Sequence, residues 1–304
     1  MGKHAYLIMA HNQKNMLQSL IECLDYKEND IYVHLDRKWE DIEINDIYKF
    51  ATESKIFILK ERIDVKWGTY SQIECELLLL QEAAPGHYQY YHLMSGMDLP
   101  LKTQEEIHSF FDERNGTEFI HFDGKEIDTQ TYKRVSKYNF IITKNKNLIS
   151  RILYNLLMGL QLCVDRAKKY NVVFYKGANW FSITDALAQY VVEKSAWIKE
   201  VFQYARCGDE MFLQTLVMNS KFKESLVNNN FCDNYETIQY CIDWNRGSPY
   251  VFKKEDISLL KDSNMCFARK FDMNIDDQIV SLIKNNVGVN KLQYNLTTNS
   301  ELGK

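Results

Sequence analysis

The chain has little of what usually interrupts or staples a fold. Only three of its 304 residues are proline and twelve are glycine, which leaves no place for long disordered linkers. Its seven cysteines (Cys23, Cys75, Cys163, Cys207, Cys232, Cys241 and Cys266) are dispersed, odd in number and never spaced as Cys-x-x-Cys. That disfavours a disulfide framework or a thiolate zinc site and predicts reduced thiols in a cytoplasmic protein. No run approaches the ~20 apolar residues of a membrane span, and the apolar stretch at residues 5–10 is too short for a secretion signal. The glycine signatures of dinucleotide sites and of phosphate loops are both missing. A net charge of −4 argues against a general nucleic-acid binder.

What is present is an ordinary globular composition, 45% hydrophobic and 26% charged, rich in Tyr and Phe. Strand and helix alternate through the first hundred residues. Apolar runs predict strands at 5–10, 30–35, 56–59 and 88–94, and helical spacing predicts helices at 15–24 and 71–84, the latter with Ser71 as cap. Such alternation implies an α/β fold with a mostly parallel sheet covered by helices on both faces. Ligands of such sheets sit beyond the carboxyl ends of the strands, which here carry His11, Asp36-Arg37-Lys38 and Ser95-Gly96-Met97-Asp98. The middle of the chain is basic and largely helical, a pattern expected mostly of a solvated face. Another helix is predicted at 185–194. His87, His92 and His108 read as packing residues, and His11 and His34 stand between packing and ligand contact.

The stretch Cys207-Gly-Asp-Glu-Met-Phe-Leu-Gln-Thr-Leu216 sets two adjacent carboxylates before an apolar helix. Asp209 is positioned to cap that helix and Glu210 to occupy its first turn, where the helix dipole favours a carboxylate. Acidic residues open many helices for that reason alone. A rigid helix start is also a good mount for a general base.

Seven segments taken in order carry a resemblance. They are His34-Leu-Asp-Arg-Lys38, Trp67-Gly68, Ser95-Gly-Met-Asp-Leu-Pro-Leu-Lys102, Asn179-Trp-Phe181, Asp209-Glu210, Asp243-Trp244 with Ser248-Pro249, and Phe267-Ala-Arg-Lys-Phe271. Together they resemble the core-2/I-branching β-1,6-N-acetylglucosaminyltransferase and peptide O-xylosyltransferase family in its compact bacterial form. The resemblance implies one glycosyltransferase A-type (Rossmann-like) domain over residues 1–275. Within it, 1–124 would be the nucleotide-binding half and 125–275 the acceptor and catalytic half; 276–304 would be a C-terminal helix and polar tail.

It also implies an inverting, metal-independent transfer of N-acetylglucosamine, xylose or glucose from a UDP-sugar, with no cofactor. The acceptor would be a glycan or glycolipid of a bacterial surface polysaccharide pathway, and a lipid-linked acceptor would bring peripheral membrane association. Glu210 matches the family's catalytic base. Arg269 and Lys270 match a basic pair that replaces the metal at the pyrophosphate, since no Asp-x-Asp follows the second strand. His11, Asp36, Ser95 and Asp98 fall on the donor side. Asn179, Trp180, Asp209 and Arg134 fall on the acceptor or sugar side; the xylosyltransferase branch has an acid where this chain has Asn179. The alternative is a catalytically silent nucleotide-sugar or glycan-binding protein on the same fold.

Overall fold

The computed structural model describes residues 2–140, 148–228, 231 and 234–289. Strands β1 (His4–Ala10), β2 (Asn29–Leu35), β3 (Lys55–Ile58), β4 (Tyr90–Ser95), β6 (Phe119–Ile120) and β7 (Phe181–Thr184) form a six-stranded sheet, ordered β3-β2-β1-β4-β7-β6. The first four pair in parallel, and β7 and β6 close the sheet antiparallel. A second, three-stranded sheet joins β5 (Leu99–Pro100), β9 (Phe267–Arg269) and β8 (Tyr240–Ile242). The helices are α1 (Lys14–Leu24), α2 (Ile44–Ile47), α3 (Tyr70–Ala83), α4 (Gln104–Asp112), α5 (Thr129–Ser136) and α6 (Leu148–Gly159). They continue as α7 (Asp185–Glu193), α8 (Ser195–Phe202), α9 (Phe212–Met218), α10 (Ile257–Asp262) and α11 (Asp277–Asn286).

Two apolar clusters, one for each face of the large sheet, make the core. Alternate residues of β1 show the division: Ala5 and Leu7 join α3, α7, α8 and α9, while Tyr6 and Ile8 join α1, α4, β9 and α11. The period-two alternation of a strand thus feeds both layers, as in any sheet covered on both sides. Helix α11 buries Ile279, Val280 and Ile283 in the second cluster and pairs Lys284 with Glu22 of α1. It is part of the core. The polar tail beyond it lies outside the described residues.

Two local expectations change. Thr69, not Ser71, caps α3, its hydroxyl accepting from the Ser71 amide, because the helix starts one residue earlier than its apolar spacing suggests. His87 is exposed and pairs with Asp185 at 2.9 Å, being held in a left-handed turn that points it outward. His92 and His108 do pack, joining His4 in a buried cluster in which His4 stacks on His108 at 3.9 Å. The six described cysteines are all free thiols.

If α11 belongs to the same cooperative unit as the sheet, Ile283→Ala should lower global stability by about 2–5 kcal/mol, the usual cost of emptying a fully buried aliphatic site. Urea denaturation followed by tryptophan fluorescence reads this directly, and an unchanged midpoint would mean that α11 unfolds by itself.

Candidate active site

Parallel pairing brings the ends of β1 and β2 side by side, Ala10 opposite Leu35, so His11 and Asp36 leave the sheet together. Asp36 is buried and organises the loops around it. One carboxylate oxygen accepts from the Lys38 amide at 2.9 Å and the other from the Val65 amide at 3.2 Å. A recess of about 300 Å³ opens here, lined by His11, Asp36, Lys38, Trp67 and Gln72 among others. His34 at its wall is a packing residue: its Nε2 accepts from the Ile63 amide at 2.8 Å, and burial lowers its pKa to about 4.

Trp67 also lines a second, larger cleft of about 760 Å³ that contains Glu210 and Arg134. The two hollows therefore share a wall. Glu210 is half-exposed there. Arg134 Nη1 donates to its Oε2 at 2.8 Å, and Lys176 Nζ stands 3.6 Å from the same oxygen. Its backbone is pinned as well, since the Gly177 amide donates to the Glu210 carbonyl at 2.9 Å. Only glycine fits at 177: a Cβ there would meet the His121 carbonyl oxygen at 1.8 Å.

Asp209 does not cap a helix. Residues Gly208–Glu210 form a separate 3-10 turn entered through a left-handed Cys207, and Met211 breaks the chain direction before α9 begins. The break turns Asp209 inward, where its Oδ2 accepts from Gln72 Nε2 at 2.8 Å and its Oδ1 has no partner. Burial, then the neighbouring Glu210, pushes Asp209 up to about 7. One layer deeper, Glu76 of α3 is fully buried with neither oxygen hydrogen-bonded within ordinary limits. Burial raises its pKa well above the usual carboxylate range and Asp209 adds to the shift, while the Asn179 amide beside it opposes it. Expected on the sugar side, Asn179 sits next to this buried acid.

The remaining predicted residues gather at the joint between the two sheets. Asp98 is wholly buried; its Oδ2 accepts from the Ser95 amide at 2.9 Å and from the Tyr240 hydroxyl at 3.4 Å, closing the turn after β4. Pairing of β9 with β5 sets Arg269 beside that turn, with its Nε 3.6 Å from Asp98 Oδ1. The Arg269 guanidinium lies over the Trp180 ring at 4.0 Å, an arrangement that stabilises a cation on an aromatic face. The charge of Lys270 also reaches Asp98. Ser95, Asp98, Arg269 and Lys270 line neither hollow; they form a cationic shelf next to Gly96, whose position abuts Ala10 at the edge of the recess. Ser95 and Asp98, placed on the donor side from sequence, act here by building that turn. Among the described residues no group of three or more His, Cys, Asp or Glu side chains is placed to hold a metal ion.

Sequence reasoning missed Gln72, Glu76, Gly177 and Lys176, and gave Trp67 no role. A signal existed for two of them. Gln72 and Glu76 are polar residues four apart on a helix whose neighbours Ile73, Cys75, Leu79 and Leu80 are all buried, so they share the inner face.

A recess at the strand ends, a braced carboxylate in the adjoining cleft and two cations beside them thus gather at one side of an α/β fold with a mostly parallel sheet. Residues 4–264 match the Core-2/I-Branching enzyme family, and the chain belongs to that family. It is 22% identical over 297 residues to xylosyltransferase 2 of Canis lupus familiaris and 23% identical over 302 residues to that of Rattus norvegicus. In each comparison 92% of this chain and 33% of the relative is covered, so the chain spans about a third of the length of the curated relatives it matches. Of solved structures, mouse xyloside xylosyltransferase 1 in its apo form aligns over 87% of this chain and 96% of its own, at 9% identity and a TM-score of 0.35.

Because burial raises the Glu76 pKa in the folded state above its unfolded value, Glu76 weakens the fold as pH rises above the carboxylate range. In wild type that term costs about 1.4 kcal/mol per pH unit until the folded pKa is passed, and Glu76→Gln removes it. The variant should therefore gain on wild type between pH 5 and pH 7.5. Urea melts at both pH values check this; an equal offset at the two would refute a protonated Glu76.

Proposed function

We propose that the protein is an inverting glycosyltransferase that moves a sugar from a UDP-sugar to a glycan or glycolipid acceptor without a metal ion. The observation that carries this is the shared wall: Trp67 separates the Asp36 recess from the cleft of Glu210, so donor and acceptor would meet at the base. The nucleoside would fill the recess, with Asp36 and His11 facing it. The acceptor would enter the larger cleft. Its hydroxyl oxygen attacks C1 from the face opposite the nucleotide and gives its proton to Glu210 as the C1–O bond to UDP breaks. Negative charge then grows on the departing phosphate, where Arg269 and Lys270 supply the compensation that a divalent ion gives elsewhere.

Family membership supports glycosyl transfer, and the xylosyltransferase relatives favour UDP-xylose as the first donor to try, ahead of UDP-N-acetylglucosamine and UDP-glucose. Assembly of a bacterial surface polysaccharide or glycolipid is the biological setting we infer. Burial of both acids behind Glu210 supports a base that works alone, because neither Glu76 nor Asp209 reaches the cleft surface.

UDP should raise the melting temperature in excess chelator. At 100 times its dissociation constant a ligand adds roughly 2.7 kcal/mol. Arg269→Ala combined with Lys270→Ala should remove the shift, whereas a shift that appears only with added Mn²⁺ or Mg²⁺ would overturn the metal-free mechanism.

Glu210→Gln should keep the UDP shift and lose transfer by ~10²–10⁴-fold, measured as UDP release with an acceptor panel. Normal transfer by this variant would remove Glu210 from the chemistry.

A further inference from the structure

Helix α6 forms one wall of the Glu210 cleft, through Tyr154, Asn155, Met158 and Gly159. Its end is tied down: the Tyr138 amide donates to Gln161 Oε1 at 2.7 Å, and Lys137 Nζ donates to the Gln161 carbonyl at 2.7 Å. The adjoining face of the helix is bare. Leu148, Ile152, Leu156 and Leu160, each four residues after the last, are 72%, 60%, 60% and 75% exposed. With Leu153 and Leu162 they make six of the fifteen exposed large apolar side chains among the described residues, all within fifteen consecutive positions. Single exposed leucines are ordinary, but a continuous stripe marks a surface that something covers. Leu162, 82% exposed, also lines the cleft, so the stripe runs to the mouth of the catalytic hollow.

The charge around the stripe says what that something is. The described residues of 129–170 hold seven Lys or Arg, of which Arg166 is buried, and one acid, Asp165, in a chain whose net charge is −4. Arg151 is exposed on α6 itself, and Lys133, Arg134, Lys137 and Arg206 line the adjoining cleft. A two-fold contact with a second copy would set these cations against each other. A bilayer with anionic headgroups meets both features at once, apolar side chains entering the acyl boundary and cations staying at the headgroups.

We propose that α6 docks the protein on an anionic lipid surface, holding the mouth of the Glu210 cleft at the headgroup level. The acceptor class would then be a glycan carried by a membrane lipid. That last step rests on the transferase function proposed above; the docking face does not.

The test is flotation with vesicles of mixed phosphatidylcholine and phosphatidylglycerol and with vesicles of phosphatidylcholine alone. Wild type should float with the mixed vesicles, less with the neutral ones, and less again at high salt. Ile152→Glu combined with Leu156→Glu should cut binding at least about tenfold, because both side chains leave the acyl boundary. Neither residue lines the cleft, so an unchanged melting temperature shows the variant folded. Wild type that stays at the bottom of the gradient, or a variant that floats as well as wild type, overturns the proposal. So does a wild-type dimer that the double substitution converts to monomer without any lipid binding. Flotation that depends on Ile152 and Leu156 in a protein showing no UDP melting shift would uphold the docking face and sink the donor reading.

Discussion

The close approach of Gly177 to the His121 carbonyl is the contact on which the rest of the site depends. It lets the segment before β7 lie flat against the segment after β6, and from there the Gly177 amide reaches the Glu210 carbonyl. Gln214 of α9 ties the same joint, donating to the Ala178 carbonyl at 2.7 Å. Glu210, on a 3-10 turn outside any long helix, would otherwise be loosely held. Here the sheet edge, through one missing side chain, holds its backbone in place.

Much of the sheet was legible in the sequence because its strands are buried on both faces and read as unbroken apolar runs, as at Ala5-Tyr-Leu-Ile-Met-Ala10. Glu210 was singled out by its place before an apolar run and Arg269 by the order of motifs, and the structure puts the first in the larger cleft and the second over the Trp180 ring. What could not be read was direction. Asp209 has every local mark of a helix cap, and it fails to be one because Met211 displaces the start of α9. Asp98 reads as a strand-end ligand and instead locks a turn, since the partner that draws it inward, Tyr240, lies 142 residues away. Short-range rules carry no information about such partners.

Electrostatically the site is layered. Glu210 faces solvent with two cations at hand, Asp209 is buried behind it, and Glu76 is buried deeper still. Burial favours the neutral form of the inner pair, and of the three carboxyls Glu210 is the one with ion pairs, to Arg134 and Lys176. An acid at position 179, as in the xylosyltransferase branch, would stand directly against Glu76. The amide of Asn179 avoids adding a third carboxyl to that interior.

Gln72 holds both sides of the wall between the two hollows. Its carbonyl oxygen accepts from the Gly68 amide, next to Trp67, while its amide nitrogen grips Asp209, next to Glu210. The Asp36 recess and the Glu210 cleft are thus not separately adjustable parts. A change at residue 72 that reshapes one hollow disturbs the other, so substitutions lining the two are coupled in their effects rather than additive.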